Sequence, residues 1–286
     1  MVDTPITIIL PVKHYVPRYL KAAVQSVLDQ SSGDWRLLVM ADRSVAAELE
    51  SFLQGELSDS RLRLVAVGTP NLAATINAGM KQASTEFVTL LLGDDIFAPN
   101  AIEVLHRAIR AQPDVFDFFH SSRRIIDGEG NSISSVHASR SHFEWKDFLN
   151  GSPVKHLLCW RRETALAIGG VDEAFSTQGP DDYDFPWSMF EHGARFQALP
   201  ECLYIYRNHC DGFRLTTHDP RTVQLLTVRK ILRKHGIGFW RSWMMMYAKW
   251  RTGLASQSIY GSRLTRWLYR LVGYDAAKSW RQSTYH

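Results

Sequence analysis

Two groups of carboxylates are the residues through which this sequence could do chemistry. Asp94 and Asp95 stand side by side after Gly93, at the end of the run FVTLLL (residues 87–92), whose single polar member is Thr89. Adjacent carboxylates repel, and they are tolerated best where solvent or a cation neutralises them. As hard oxygen ligands they suit Mg²⁺ or Mn²⁺, ions that bind one or two carboxylates and complete their shell with substrate phosphates. A cation held there would bridge a diphosphate and neutralise charge as it leaves. The same pair would also serve as a solvated loop, or as an N-cap for the helix after Pro99. The second group, Asp181, Asp182 and Asp184, lies in GPDDYDF, in a region rich in aromatics. Asp182 could be a general base that takes a proton from an acceptor hydroxyl. Equally, any of the three could cap the helix expected in DFPWSMFEHG.

The elements that must position these acids follow from hydrophobic periodicity. ITIILPV is a continuous β-rich run, and YLKAAVQSVLDQ places Leu20, Ala23, Val24, Val27 and Leu28 on one helical face. WRLLVMAD and RLRLVAV read as further strands, LAATINAGMKQA as a helix, FVTLLL as a buried strand, AIEVLHRAIRA as a helix and VFDFFH as a strand. Such alternation predicts an α/β domain with a mostly parallel sheet flanked by helices. Ligands of such sheets bind beyond the carboxyl ends of the strands. Asp42 and the Asp94–Asp95 pair fall on that edge. Neither GxGxxG nor GxxxxGK[ST] is present, so dinucleotide and P-loop binding are not indicated. Residues 121–220 are less regular, with IIDGEGNSI a turn between strands and CLYIYRNH a strand.

Charge divides the chain further. The net +4 conceals a segment, residues 221–286, with 13 Lys and Arg against one acid, Asp275, and with five of the nine Trp. The reading is therefore a body at 1–220, split into a 1–120 half and a 121–220 half, and a basic, aromatic-rich helical tail at 221–286. The three cysteines, Cys159, Cys202 and Cys210, have no CxxC spacing, which points to a reducing compartment, the cytoplasm. The opening MVDTPITIILPV reads as a strand and not as a signal peptide, and no run approaches a membrane span.

Taken in order, these motifs resemble the inverting glycosyltransferases of the GT-A fold, family 2. The residues that carry the resemblance are ITIILPVKHYVPRYLKAAVQSVLDQSSGDWRLLVMADRS, NLAATINAGMKQASTEFVTLLLGDDIFAP, RRETALAIGGVDEAF and GPDDYDFPWSMFEHGARFQALPECLYIYRNH, spanning roughly residues 6 to 210. The resemblance implies a Rossmann-like nucleotide-binding half (1–120) and an acceptor half (121–220). It implies that Pro11 and Val12 line the nucleotide base and that Asp42 bonds the base or ribose. Asn71 and Asn77 fall where the family packs a loop and helix against the nucleotide. Asp94 would approach the ribose or sugar, Asp95 would bind Mn²⁺ or Mg²⁺, His209 would lie near the diphosphate as a further metal ligand, and Asp182 would be the catalytic base. The sequence departs from the family pattern at Leu92, where an acid is usual, at Ala41 and Arg43 around Asp42, and at Lys13 and His14.

The activity so implied is a metal-dependent inverting hexosyltransferase. Its donor would be a nucleoside-diphosphate sugar, a UDP-sugar first among them, and its acceptor a glycan or lipid-linked hydroxyl in surface polysaccharide synthesis. A nucleotidyltransferase on a similar sheet would show a glycine-rich basic loop after the first strand, which PVKHYVPRY lacks. A non-catalytic relative that binds glycan or membrane would not need Asp94, Asp95 and Asp182 together. In the tail, FWRSWMMMYAKWRTG sets Trp240, Trp243, Met244, Tyr247 and Trp250 at helical spacing among Arg and Lys, and SRLTRWLYRLVG does the same with Leu264, Trp267, Leu268 and Leu271. Such helices pack on protein or on a second copy of the chain, or lie in a bilayer interface. The charge favours an anionic membrane at the inner face of the cell, with no role for nucleic acid.

Overall fold

The run ITIILPV is apolar on both sides because both faces of its strand are covered. In the computed structural model, which describes residues 5–175, 180–209, 211 and 221–255, it forms β1 (Ile6–Val12) at the centre of the parallel half of a sheet. Ile8 and Leu10 join one core with Leu20 and Val24 of α1 (Pro17–Leu28) and Leu105 of α4 (Ala101–Ala111), while Ile9 joins a second core on the opposite face. That second core takes Ile76 and Met80 from α3 (Leu72–Gln82) and Phe185 from α6 (Phe185–Glu191). A strand buried on both faces reads as an unbroken hydrophobic run, as this one does. Gly79 allows α3 to lie close on the sheet, since a Cβ there would come within 2.8 Å of the Ile9 side chain.

The remaining strands are β2 (Trp35–Asp42), β3 (Leu62–Val67), β4 (Phe87–Leu90), β5 (Ile96–Phe97), β6 (Phe118–Ile126), β7 (Leu158–Arg161) and β8 (Phe196–Arg207). Their order is β3-β2-β1-β4-β7-β6-β8-β5. The β3-β2-β1-β4 block is parallel, β7 runs antiparallel to both neighbours, β6 and β8 are parallel, and the short β5 closes the edge antiparallel to β8. Short helices α2 (Ala46–Phe52) and α5 (Arg162–Ala167) complete the connections. The expected α/β fold is therefore present, with β6, β7 and β8 completing the sheet that the first 120 residues begin.

Three expectations shift in detail. β4 stops at Leu90 instead of Leu92, although the Leu91 amide still donates to the Ile9 carbonyl at 3.0 Å. The strand expected in VFDFFH begins later and runs to Ile126, because β8 pairs with it along its whole length through bulges at Ser121–Arg123. The two tail helices, α7 (Arg221–Lys234) and α8 (Phe239–Ala255), do pack on the body. Ile231, Leu232, Ile237, Met245 and Ala248 form a third core with Phe148, Tyr183 and Trp187. His235 stacks flat on Trp187, with centroids 4.1 Å apart and planes within 3°. SRLTRWLYRLVG and Cys210 lie outside the described residues.

Candidate active site

At the carboxyl edge of the parallel block the chain departs from β1 toward β2 on one side and β4 on the other. That switch point is where open α/β sheets leave a crevice for ligands. Val12 is buried and Pro11 half-buried at the tip of β1. Asp42 ends β2, and its Oδ1 accepts from the Ser44 amide at 2.9 Å and the Ser44 hydroxyl at 2.7 Å. These bonds, with Lys13 3.5 Å from Oδ2, hold its carboxyl below the usual range. Asp42 thus makes its own turn with one oxygen and sets the other beside the Lys13 cation.

The two asparagines do other work than the resemblance implies. Asn71 caps α3 by accepting from the Ala74 amide at 2.9 Å, and its Nδ2 donates to the Glu173 carbonyl at 2.9 Å. Asn77 is buried. Its Nδ2 donates to the Val171 carbonyl and to Glu173 Oε1, and its Oδ1 accepts from the Val171 amide, all at 2.8 Å. Every strong donor and acceptor site on that amide faces protein, so Asn77 fixes the 170–173 loop and does not contact a nucleotide. Gly170 permits this: its φ is +80° and a Cβ would strike Asn77 Oδ1.

A second correction concerns the carboxylate pair. Asp95, expected to hold the metal, is 0% exposed. Its Oδ2 accepts from the Tyr204 hydroxyl at 2.7 Å and its Oδ1 from the Arg207 amide at 2.7 Å. Burial, and then the charge of Asp94, push its pKa well above the ordinary carboxylate range. Asp94 is the member that reaches out: its side chain is 31% exposed and its Oδ2 lies 3.2 Å from Nε2 of the buried His209. The expected His209 is therefore at the pair, but beside Asp94. Among the described residues no three His, Cys, Asp or Glu side chains converge as a complete metal cage. A carboxylate and an imidazole side by side nonetheless fit an ion that takes the rest of its shell from phosphate oxygens. Arg207, which the sequence did not single out, is buried under this loop. Its guanidinium donates to the carbonyls of Asp94, Asp127 and Gly128 at 3.0–3.3 Å and stacks on Tyr19.

The second acidic cluster forms a π-type turn, Pro180–Asp184, that runs into α6. Its three acids separate by partner. Asp184 is fully buried, with Lys234 at 2.7 Å and His235 Nε2 at 3.0 Å. Asp181 lies 3.3 Å from His156 Nε2. Asp182 is half-buried and, among the described residues, makes no hydrogen bond or ion pair; none of the three side chains caps α6. Burial, and then Asp181, raise the pKa of Asp182, while His156, Arg123 and Lys155 draw it down. Tyr204 connects the two clusters: its hydroxyl is on Asp95 and its ring lies 5.1 Å from that of His156. The turn that carries Asp182 is thereby linked, through Asp181, His156 and Tyr204, to the Asp94–Asp95 loop at the sheet's carboxyl edge.

Comparison with known proteins agrees with this geometry. A family model described as Glycosyl transferase family 2 matches residues 7–159. The chain is 28% identical over 208 residues to the O-antigen biosynthesis protein RfbC of Myxococcus xanthus, covering 71% of this chain and 16% of that protein. It is 33% identical over 105 residues to the UDP-Glc:alpha-D-GlcNAc-diphosphoundecaprenol beta-1,3-glucosyltransferase WfgD of Escherichia coli, covering 36% of this chain and 40% of that one. The chain thus spans a minor part of these relatives. In fold it is similar to S. aureus TarS 1–349 in complex with UDP-GlcNAc, with a TM-score of 0.64 at 14% identity over 90% of this chain and 76% of that one.

Proposed function

The chain belongs to glycosyl transferase family 2, and we propose that it moves a sugar from a nucleoside-diphosphate sugar to a hydroxyl of a glycan or lipid-linked acceptor, with inversion. The observation that carries this reading is Asp182, the acid of its cluster with no hydrogen bond or ion pair among the described residues, next to Asp181, which His156 and Tyr204 tie to the Asp94–Asp95 loop. A TarS structure in the same fold class holds UDP-GlcNAc, and WfgD is named for a UDP-sugar and a diphosphoundecaprenol acceptor, which supports a UDP-sugar donor here.

In this mechanism Asp182 takes the proton of the acceptor hydroxyl as its oxygen bonds to the anomeric carbon. The bond from that carbon to the diphosphate oxygen breaks on the opposite face, and its electron pair leaves with the nucleoside diphosphate. One displacement needs no enzymatic nucleophile and inverts the configuration. Burial keeps the Asp182 carboxylate basic enough for the transfer. Val12, Pro11 and Asp42 receive the base and ribose at the tips of β1 and β2, while Asp95, Tyr204 and Arg207 fix the loop that presents Asp94. Asp94 and His209 would hold Mn²⁺ or Mg²⁺, which when bound neutralises charge on the departing diphosphate. Incubation with a panel of nucleotide sugars, with and without Mn²⁺, tests the reading. Wild-type protein hydrolyses or transfers from one of them, and Asp182→Asn binds the same nucleotide without turnover. Binding of no nucleotide sugar would sink it.

The tail adds a location. α8 buries Met245, Met246 and Ala248 and leaves Trp240 77%, Phe239 50%, Tyr247 48% and Trp243 44% exposed, with Arg229 of α7 stacked over Phe239 and Trp243. No helix among the described residues is long and apolar enough to cross a membrane. Aromatics beside guanidinium groups suit the headgroup region of a bilayer. These features support a peripheral location at the inner face of the cell membrane as part of the proposed reading.

A further inference from the structure

Tyr19 has more partners than a core residue needs. It lies in the first turn of α1, where Pro17 opens the helix and the Tyr19 amide donates to the Val16 carbonyl at 2.9 Å. The turn follows β1 at the carboxyl edge of the sheet, and a Cβ on Gly93, the residue before Asp94, would lie 3.7 Å from the neighbouring Leu20. Tyr19 is buried. Its ring meets Arg207, at the end of β8, and His209, just past it. The Arg207 guanidinium carbon is 4.6 Å and the His209 ring centre 4.7 Å from the centre of the Tyr19 ring. Residues two apart in an extended run point to the same side, so one aromatic ring can take both.

The hydroxyl takes a third residue of the same stretch. It donates to Asp211 Oδ2 at 2.6 Å, and Arg18 donates both to the hydroxyl, at 3.0 Å, and to that carboxylate, at 2.7 Å. Gly128, in the turn after β6, leaves the room for this: a Cβ there would lie 2.8 Å from the Tyr19 hydroxyl. The His209 imidazole makes one hydrogen bond among the described residues. Its Nε2 lies 3.2 Å from Asp94 Oδ2, while its Nδ1 is buried with no partner. A metal-binding imidazole is normally oriented by a bond from its second nitrogen. Without that bond, the ring packed against it has to supply the orientation.

We propose that Tyr19 is a positioning residue of the cation site: its ring fixes the His209 imidazole beside Asp94, and its hydroxyl, through Asp211, fixes the stretch that carries His209. The carboxylate and the imidazole are then held together before a divalent cation arrives. The proposal rests on the glycosyltransferase reading and deepens its assignment of Asp94 and His209.

The experiment measures the affinity of the full chain for UDP by calorimetry, from EDTA through a series of Mn²⁺ concentrations to saturation, with GDP or TDP used where UDP does not bind. In Tyr19→Leu, which removes ring and hydroxyl, the Mn²⁺ concentration that gives half of the gain in affinity rises about 10–100-fold, the usual worth of a group that orients a metal ligand. Affinity in EDTA is unchanged in that variant, which separates the effect from misfolding. Tyr19→Phe, which keeps the ring on His209, shows a smaller rise. In a His209→Ala background, Tyr19→Leu costs nothing further, because the ring has no imidazole left to hold. An equal Mn²⁺ requirement in wild type and Tyr19→Leu overturns the proposal. So do additive losses in the double variant, an equal loss in Tyr19→Phe and Tyr19→Leu, or a loss that appears in EDTA as well. A wild type that binds nucleotide with no gain from Mn²⁺ overturns the cation site, and the role of Tyr19 with it, but leaves the donor-binding reading standing. Failure of the wild type to bind any nucleoside diphosphate instead overturns the glycosyltransferase reading.

Discussion

The rings of Tyr204 and His156 lie 5.1 Å apart with their planes inclined by 35°, and each is bonded to a different acidic cluster. Tyr204 reaches Asp95 at 2.7 Å and His156 reaches Asp181 at 3.3 Å. Residues from the end of β4, the start of β7, the π-type turn and β8 are thereby tied into one unit. Tyr204→Phe keeps the ring contact and removes the hydroxyl from Asp95. Stability should fall by about 1 kcal/mol, the net worth of one such bond, as read by urea unfolding. An unchanged midpoint would show that the bond does not fasten the loop.

Asp94 and Asp95, adjacent in sequence, should give opposite phenotypes. Asp95→Ala strips the partners from a buried amide and a buried hydroxyl, at about 1–3 kcal/mol of unfolding free energy. Asp94→Ala should leave the melting temperature close to wild type and abolish the Mn²⁺-dependent part of stabilisation by UDP. The assignment fails if the two variants exchange these behaviours.

Asp182→Asn keeps the side chain's shape but cannot accept a proton near neutral pH. Nucleotide binding should persist while kcat falls by roughly 10²–10⁴. Because the base works ionised, and burial with Asp181 raises its pKa, activity of the wild type should be lost as pH falls through a value above the ordinary aspartate range of about 4. A kcat/KM profile flat down to that range would exclude Asp182 as the base.

Asp184 anchors the tail from the same acidic turn. Fully buried and bonded to Lys234 and His235, it leaves the buried His235 Nε2 without its partner when replaced, while Lys234 keeps Asp172 at 2.9 Å. Asp184→Ala should lower unfolding free energy by about 1–3 kcal/mol, with little change in the nucleotide affinity of whatever protein remains folded. Wild-type stability in this variant would mean that the tail is held by its third core alone.

Binding to anionic liposomes should be reduced by Trp240→Ser with Trp243→Ser, and weakened by salt as screening tightens toward roughly 8 Å near physiological ionic strength. Truncation at Gly236 is not a clean test, since it also removes Ile237, Met245 and Ala248 from a core. A full-length protein that ignores such liposomes at low salt would leave the exposed aromatics to a protein partner.

The sequence by itself determined the layered fold and the edge on which chemistry falls. The unbroken run of β1 requires cover on both faces, the helical stripe Leu20–Ala23–Val24–Val27 supplies it on one, and strand ends put Asp42 and Asp94 on a common edge. Local patterns carry that information because they are set by burial and period. What a carboxylate or amide does is set by the groups facing it, and those come from far along the chain. Only the tertiary structure showed that Asp95 is spent on Tyr204 and Arg207, more than a hundred residues away, and Asn77 on the 170–173 loop. Only it distinguished Asp182 from Asp181 and Asp184, three acids that are equivalent in composition and differ in which of them a distant histidine or lysine has already reached.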